Sequence, residues 1–148
     1  MLEHINPPQK VLDIGSGAGL PGLIIAINKP KIQITMSEKN KKKAYFIRKM
    51  IHTLQLTNAI ILDKATTPNL IIQNKFDVIT ARALTTAPLI INMAEHLLNR
   101  GGKFLLMKGS LEKINKEVAQ LDNNKYSYTI HKTNTLNTNK HILEINQK

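Results

Sequence analysis

Four glycines, Gly15, Gly17, Gly19 and Gly22, fall within eight residues of the segment Asp13-Ile14-Gly15-Ser16-Gly17-Ala18-Gly19-Leu20-Pro21-Gly22. The apolar run Val11-Leu12-Asp13-Ile14 leads straight into them, and an apolar stretch that starts with Pro21 follows. Strand, glycine turn and helix in that order build a loop that a ligand can approach closely, beside the free N–H groups of a helix N-terminus. An ordinary strand–helix turn needs only one glycine. Counted from Gly17 the loop satisfies G-x-G-x-x-G, the spacing of dinucleotide sites. Counted from Gly15, where the strand ends, it reads G-x-G-x-G, because position 20 is Leu.

Other residue types add to this loop. Glu38 follows it by about 20 residues, where a carboxylate can accept hydrogen bonds from ribose hydroxyls. Arg82 is placed just past a strand, at the sheet edge where ligands bind, and suits a carboxylate or a phosphate. Lys108-Gly109 ends a strand on the same edge, so Lys108 is a candidate contact for an RNA backbone. Lys39, Lys41, Lys42, Lys43, Arg48 and Lys49 are six basic residues within eleven. On a helix, 39, 42, 43 and 49 share roughly one side, which reads as a footprint for phosphates or as a solvated face. Tyr45 and Phe46 are read as core rather than as stacking platforms. The five His have no ligand spacing along the chain, so no metal is expected. There is no Cys, which excludes disulfides, thiolate zinc sites and thiolate nucleophiles.

The elements that must position these residues alternate. Strands are predicted at Val11–Ile14, Ile32–Met36, Ala59–Leu62, Phe76–Thr80 and Lys103–Met107, each with a helix or connecting segment after it. Helices are predicted over Leu20–Asn28, Lys39–Leu56, Thr85–Leu98 and Leu111–Leu121, with Pro68–Asn74 a short helix or loop. Arg100-Gly101-Gly102 is placed past the end of the third long helix. Tyr126–Ile130 and His141–Ile145 alternate as a final antiparallel pair, joined by a polar, mobile link at Thr133–Asn139. Such an order implies an α/β sheet with helices on both faces.

The chain has 148 residues, 21 Lys+Arg against 10 Asp+Glu, and a formal net charge of +11. That suffices for one domain and favours a polyanionic partner such as nucleic acid, although heavy use of Lys, Asn and Ile fits codon bias too. No apolar run approaches 20 residues, and Met1–Lys10 has no signal-peptide core, so a soluble cytoplasmic protein with no membrane partner is expected.

Asp13 followed by G-x-G-x-G resembles the first motif of class I S-adenosylmethionine-dependent methyltransferases. The longer string Gly15-Ser16-Gly17-Ala18-Gly19-Leu20-Pro21-Gly22 is similar to the signature of the small-subunit ribosomal RNA guanine-N7 methyltransferases, also called glucose-inhibited division protein B. Further matches fall in order at Lys41-Lys42-Lys43 through Phe46, Leu54-x-Leu56-x-Asn58, Phe76-Asp77, Ala81-Arg82-Ala83, Lys108-Gly109 and Lys140-His141. The resemblance implies a Rossmann-like sheet of five parallel strands plus a C-terminal antiparallel pair, in one domain over 1–148. It implies S-adenosylmethionine as cofactor, and methylation at N7 of a guanine in 16S rRNA within the small ribosomal subunit. Carried over by position, Gly15, Gly17, Leu20, Glu38, Ala65, Thr66 and Arg82 would bind the cofactor, with Lys42, Lys43 and Lys108 toward RNA.

Two departures stand out. The run Asp63-Lys64-Ala65-Thr66-Thr67 has no acid after Ala65. The family's helical extension before the first strand is missing from this chain, in which Met1 lies about ten residues before that strand. An inactive, truncated remnant that binds RNA weakly is therefore an alternative reading. So is an NAD-dependent oxidoreductase, from Gly17-x-Gly19-x-x-Gly22.

Overall fold

The computed structural model describes residues 1–133 and 140–148, so most of the Thr133–Asn139 link lies outside the described residues. A single 3-10 turn, Leu2–His4, precedes β1 (Lys10–Ile14), α1 (Gly22–Asn28), β2 (Gln33–Ser37), α2 (Lys41–Thr53), β3 (Ala59–Leu62) and β4 (Phe76–Arg82). The chain continues through α3 (Ala87–Ala94), a 3-10 turn (Glu95–Leu97), β5 (Leu98–Lys108), α4 (Leu111–Val118), β6 (Tyr126–Lys132) and β7 (His141–Gln147). The seven strands form one sheet in the order β3-β2-β1-β4-β5-β7-β6. Neighbours among β1 to β5 run parallel, whereas β7 runs antiparallel to both β5 and β6. The expected α/β architecture is therefore present, and the order reverses between β1 and β4, where the carboxyl ends open a crevice.

β1 is buried on both faces because apolar clusters cover each side. On one side Leu12, Ile14, Ile79 and Leu106 pack with Ile90 and Ile91 of α3 and Ile114 and Val118 of α4. On the other, Val11, Ile34 and Val78 pack with Leu23 and Ile25 of α1 and with Ile47 of α2. Among the described residues no helix is long and apolar enough to cross a membrane.

Of the two alternatives for Pro68–Asn74, the loop is found: Leu70 and Ile72 turn toward the core, whereas Ile71 is left exposed. Two other local expectations are corrected. α3 stops at Ala94, and β5 begins already at Leu98. Arg100-Gly101-Gly102 is thus inside an irregular strand, where the register jumps from Phe76↔Leu98 to Val78↔Lys103. Gly101 has φ +76°, which a bulge of this kind accommodates. Tyr45 and Phe46 are exposed on α2, whose buried residues are Ala44 and Ile47. At 3.6 residues per turn, Ala44 and Ile47 share the sheet-facing side, and Tyr45 and Phe46 are rotated off it.

Candidate ligand-binding site at the carboxyl edge of the sheet

The glycine loop leaves β1 by capping β2. Gly15 N and Ser16 N both donate to Ser37 O, at 2.8 and 3.2 Å. The loop then closes on itself through Gly19 N and Leu20 N to Ser16 O, at 2.8 and 3.0 Å. Gly15 and Gly17 have φ of +63° and +58°, a backbone that a β-carbon disfavours. Gly22 serves a different purpose: a β-carbon there would meet Met36 Cγ at 2.6 Å and Asp13 Oδ2 at 2.9 Å. It lets α1 pack directly on the sheet.

Glu38, just past β2, is buried and binds the loop from the other side. Its Oε2 accepts from Gly17 N at 2.9 Å and its Oε1 from Asn40 N at 2.8 Å. Asn40 in turn caps α2, accepting from Lys42 N and Lys43 N at 3.0 and 3.1 Å. One carboxylate thereby links the loop to the start of the basic helix. Ser37 Oγ donates to Lys64 O at 2.7 Å and accepts from Thr66 Oγ1 at 2.9 Å, so the segment after β3 is tied to the end of β2.

These parts enclose a cavity of about 550 Å³. Gly15, Gly17, Glu38, Ala65, Thr66 and Arg82 all line it, and Lys43 reaches it from α2. Its apolar wall is Leu84, Leu89 and Met93. Leu20 is not brought in; it is turned outward at the rim of the loop. Lys42 is exposed outside the cavity.

Arg82 is the last residue of β4 rather than the first residue past it. It makes no hydrogen bond or ion pair among the described residues, and it borders a second cavity of about 730 Å³ as well. Ala83 follows with φ +50°, a strained conformation for a residue with a β-carbon, and it borders both cavities. Lys108 lines the second cavity, yet its charge is engaged inside the fold. Its Nζ lies 2.7 Å from Glu117 Oε2 and donates to Thr85 O at 2.8 Å. Arg48 is similarly engaged by Asp63, at 2.8 Å to both oxygens.

Asp13 is fully buried beneath the loop. Oδ2 accepts from Gly22 N at 3.0 Å, whereas Oδ1 has no hydrogen-bond partner. Burial pushes its pKa up to about 7, against the smaller opposing effects of its hydrogen bonds and of the Arg82 charge. Sequence reasoning passed over Leu84 and Thr85, which line the cavity beyond Arg82 and Ala83. Their position directly after a parallel strand was the available signal.

The site thus combines a buried carboxylate, a glycine loop open to close approach, an apolar wall and a guanidinium without a hydrogen-bond partner among the described residues. Residues 1–144 match the family model described as rRNA small subunit methyltransferase G. The ribosomal RNA small subunit methyltransferase G of Xanthomonas oryzae pv. oryzae is 43% identical over 97 residues, which are 66% of this chain and 45% of that protein. The chain thus spans about half the length of the curated relatives it matches. In fold it is similar to the ribosomal protein L11 methylase of Lactobacillus delbrueckii subsp. bulgaricus, with TM-score 0.75, 16% identity, and 99% and 74% of the two chains covered. It is also similar in fold to a Streptococcus mutans protein solved in complex with SAH, with TM-score 0.68, 12% identity, and 95% and 89% covered. The chain belongs to the rRNA small subunit methyltransferase G family.

Proposed function

We propose that this chain is a cytoplasmic methyltransferase domain that binds S-adenosylmethionine and methylates N7 of a guanine in 16S rRNA of the small ribosomal subunit. What carries the reading is that Gly15, Gly17, Glu38, Ala65, Thr66 and Arg82 converge on one cavity, in a chain of this family. A volume of about 550 Å³ suits a ligand of nucleoside size. S-adenosylmethionine supplies an electrophilic methyl group on a sulfonium centre.

The chain's own residues hold and orient it. The oxygens of Glu38 retain lone pairs for ribose hydroxyls after accepting from Gly17 and Asn40. Gly15 and Gly17 admit the ligand to the backbone, with Leu20 at the rim. Ala65 and Thr66 flank the base, and Arg82 takes the amino-acid carboxylate or a nearby rRNA phosphate. Leu84, Leu89 and Met93 exclude water, which favours transfer by positioning in a dry site. Guanine N7 presents an in-plane lone pair, so no general base is required. Lys42 and Lys43 meet rRNA phosphates, and Lys108 shapes the neighbouring cavity in which the base is received.

Calorimetry with S-adenosylmethionine tests the reading. Saturable binding that NAD does not displace supports it, and absence of binding at millimolar cofactor overturns it. Gly15→Val is expected to abolish binding, because a side chain at φ +63° is strained and would meet Leu84 Cδ1 at 2.8 Å.

A further inference from the structure

Folding gathers histidines that the linear spacing keeps apart. His131 of β6 faces Ile142 of β7, and Glu144 is two residues further along β7 on the same face of the sheet. Ile5 packs in the same apolar cluster as Ile142, which brings His4 of the first turn over that face. His131 Nε2 is 3.2 Å from Glu144 Oε2, and His4 Nδ1 is 3.8 Å from the same oxygen. One donor atom from each residue lies within 4.8 Å of the other two. The imidazole rings stand 4.3 Å apart and are tilted by 41°. Three nitrogen and oxygen donors about 2.0–2.2 Å from a tetrahedral ion would lie roughly 3.3–3.6 Å from one another, a range bracketed by the two histidine–Glu144 distances.

We propose that His4, His131 and Glu144 bind a divalent first-row transition ion of the zinc type, which joins the N-terminal turn to the β6–β7 pair. The surroundings fit metal ligation. Lys103 Nζ lies 3.3 Å from Glu144 Oε1, so it holds one carboxylate oxygen and leaves Oε2 toward the histidines. Glu3 Oε1 lies 3.3 Å from His4 Nε2, a buried nitrogen that makes no hydrogen bond. A carboxylate behind a ligating imidazole is the usual outer partner of a bound ion. Two nitrogens and one oxygen suit Zn²⁺, Co²⁺ or Ni²⁺ rather than Ca²⁺ or Mg²⁺. None of the three residues lines either cavity at the carboxyl edge, so the ion's role is structural. The expectation of no metal rested on spacing along the chain, which is blind to a site assembled from opposite ends.

The untagged chain, stripped with a chelator, is titrated with Zn²⁺ by calorimetry and with Co²⁺ by visible absorption. One equivalent per chain is expected, with the intense d–d bands of a low-coordinate Co²⁺ site and a higher Tm in Zn²⁺. His131→Gln and Glu144→Gln should each weaken Zn²⁺ binding at least tenfold while circular dichroism stays native. His96→Ala, an exposed histidine elsewhere, should leave it unchanged. Absence of stoichiometric binding, or binding of equal strength in His131→Gln, overturns the proposal.

Discussion

Glu38 accepts from the Gly17 and Asn40 amides with its two oxygens. Glu38→Gln leaves one of those N–H groups facing an amide NH₂, so it should cost about 1–2 kcal/mol of stability in urea titrations. It should weaken S-adenosylmethionine binding more than it weakens the fold, because the ribose diol loses a charged acceptor. Asp13 is a second residue with a measurable signature. Its folded pKa is raised to about 7, from 3.8 in the unfolded chain, chiefly by burial. The folded protein keeps this proton where the unfolded chain has released it. The group's contribution is therefore most favourable below about pH 4, is lost as pH rises to about 7, and is constant above that. Asp13→Asn removes the titration, so its stability relative to the parent chain should rise between pH 4 and pH 7. Equal pH dependence of the two urea midpoints would refute this account.

At the scale of elements, α4 reaches across to the start of α3. Glu117 Oε2 accepts from Ala87 N at 2.7 Å and pairs with Lys108 Nζ at the same distance, with only 14% and 11% of the two side chains exposed. Glu117→Gln leaves a nearly buried ammonium without its counter-charge and should destabilise by about 3 kcal/mol. Lys108→Met with Glu117→Leu should recover part of that loss in chemical denaturation, because neither charge is then stranded. The pair also explains why Lys108, which the sequence offers as a free cation at the sheet edge, is engaged within the fold. Its register position at the end of β5 was readable; the acid on a helix turn below it was not. In the same way, the 3.6-residue spacing of α2 was legible. Which arc faced the sheet was decided by Ala44 and Ile47 packing there, leaving Tyr45 and Phe46 outside.

For the molecule as a whole, the net charge of +11 means that the rRNA association proposed above should weaken steeply with salt. Lys42 and Lys43 project from the first turn of α2 and are exposed, whereas Arg48 is engaged by Asp63. Lys42→Ala with Lys43→Ala should lower affinity for 16S rRNA and reduce the slope of log K against log[salt] by about 2, one for each phosphate contact. Arg48→Ala should change that slope less. Filter binding across a salt series separates the two.

Strand and helix order and the glycine loop were legible in the sequence because they depend on short periodicities and on residues such as glycine and proline that bias the local backbone. Gly15, Gly17, Glu38 and Arg82 could be singled out for the same reason: each stands at the carboxyl end of a strand or within three residues of it, and strand ends are where an α/β sheet meets its ligands. Only the tertiary structure decided the rest. It joined Glu38 to Gly17, placed Asp13 out of water beneath the loop, and engaged Lys108 and Arg48 with acids. It brought His4 and His131 together on Glu144. Those pairings join residues on different elements, and no local pattern encodes which charge or nitrogen the folded backbone will set beside another.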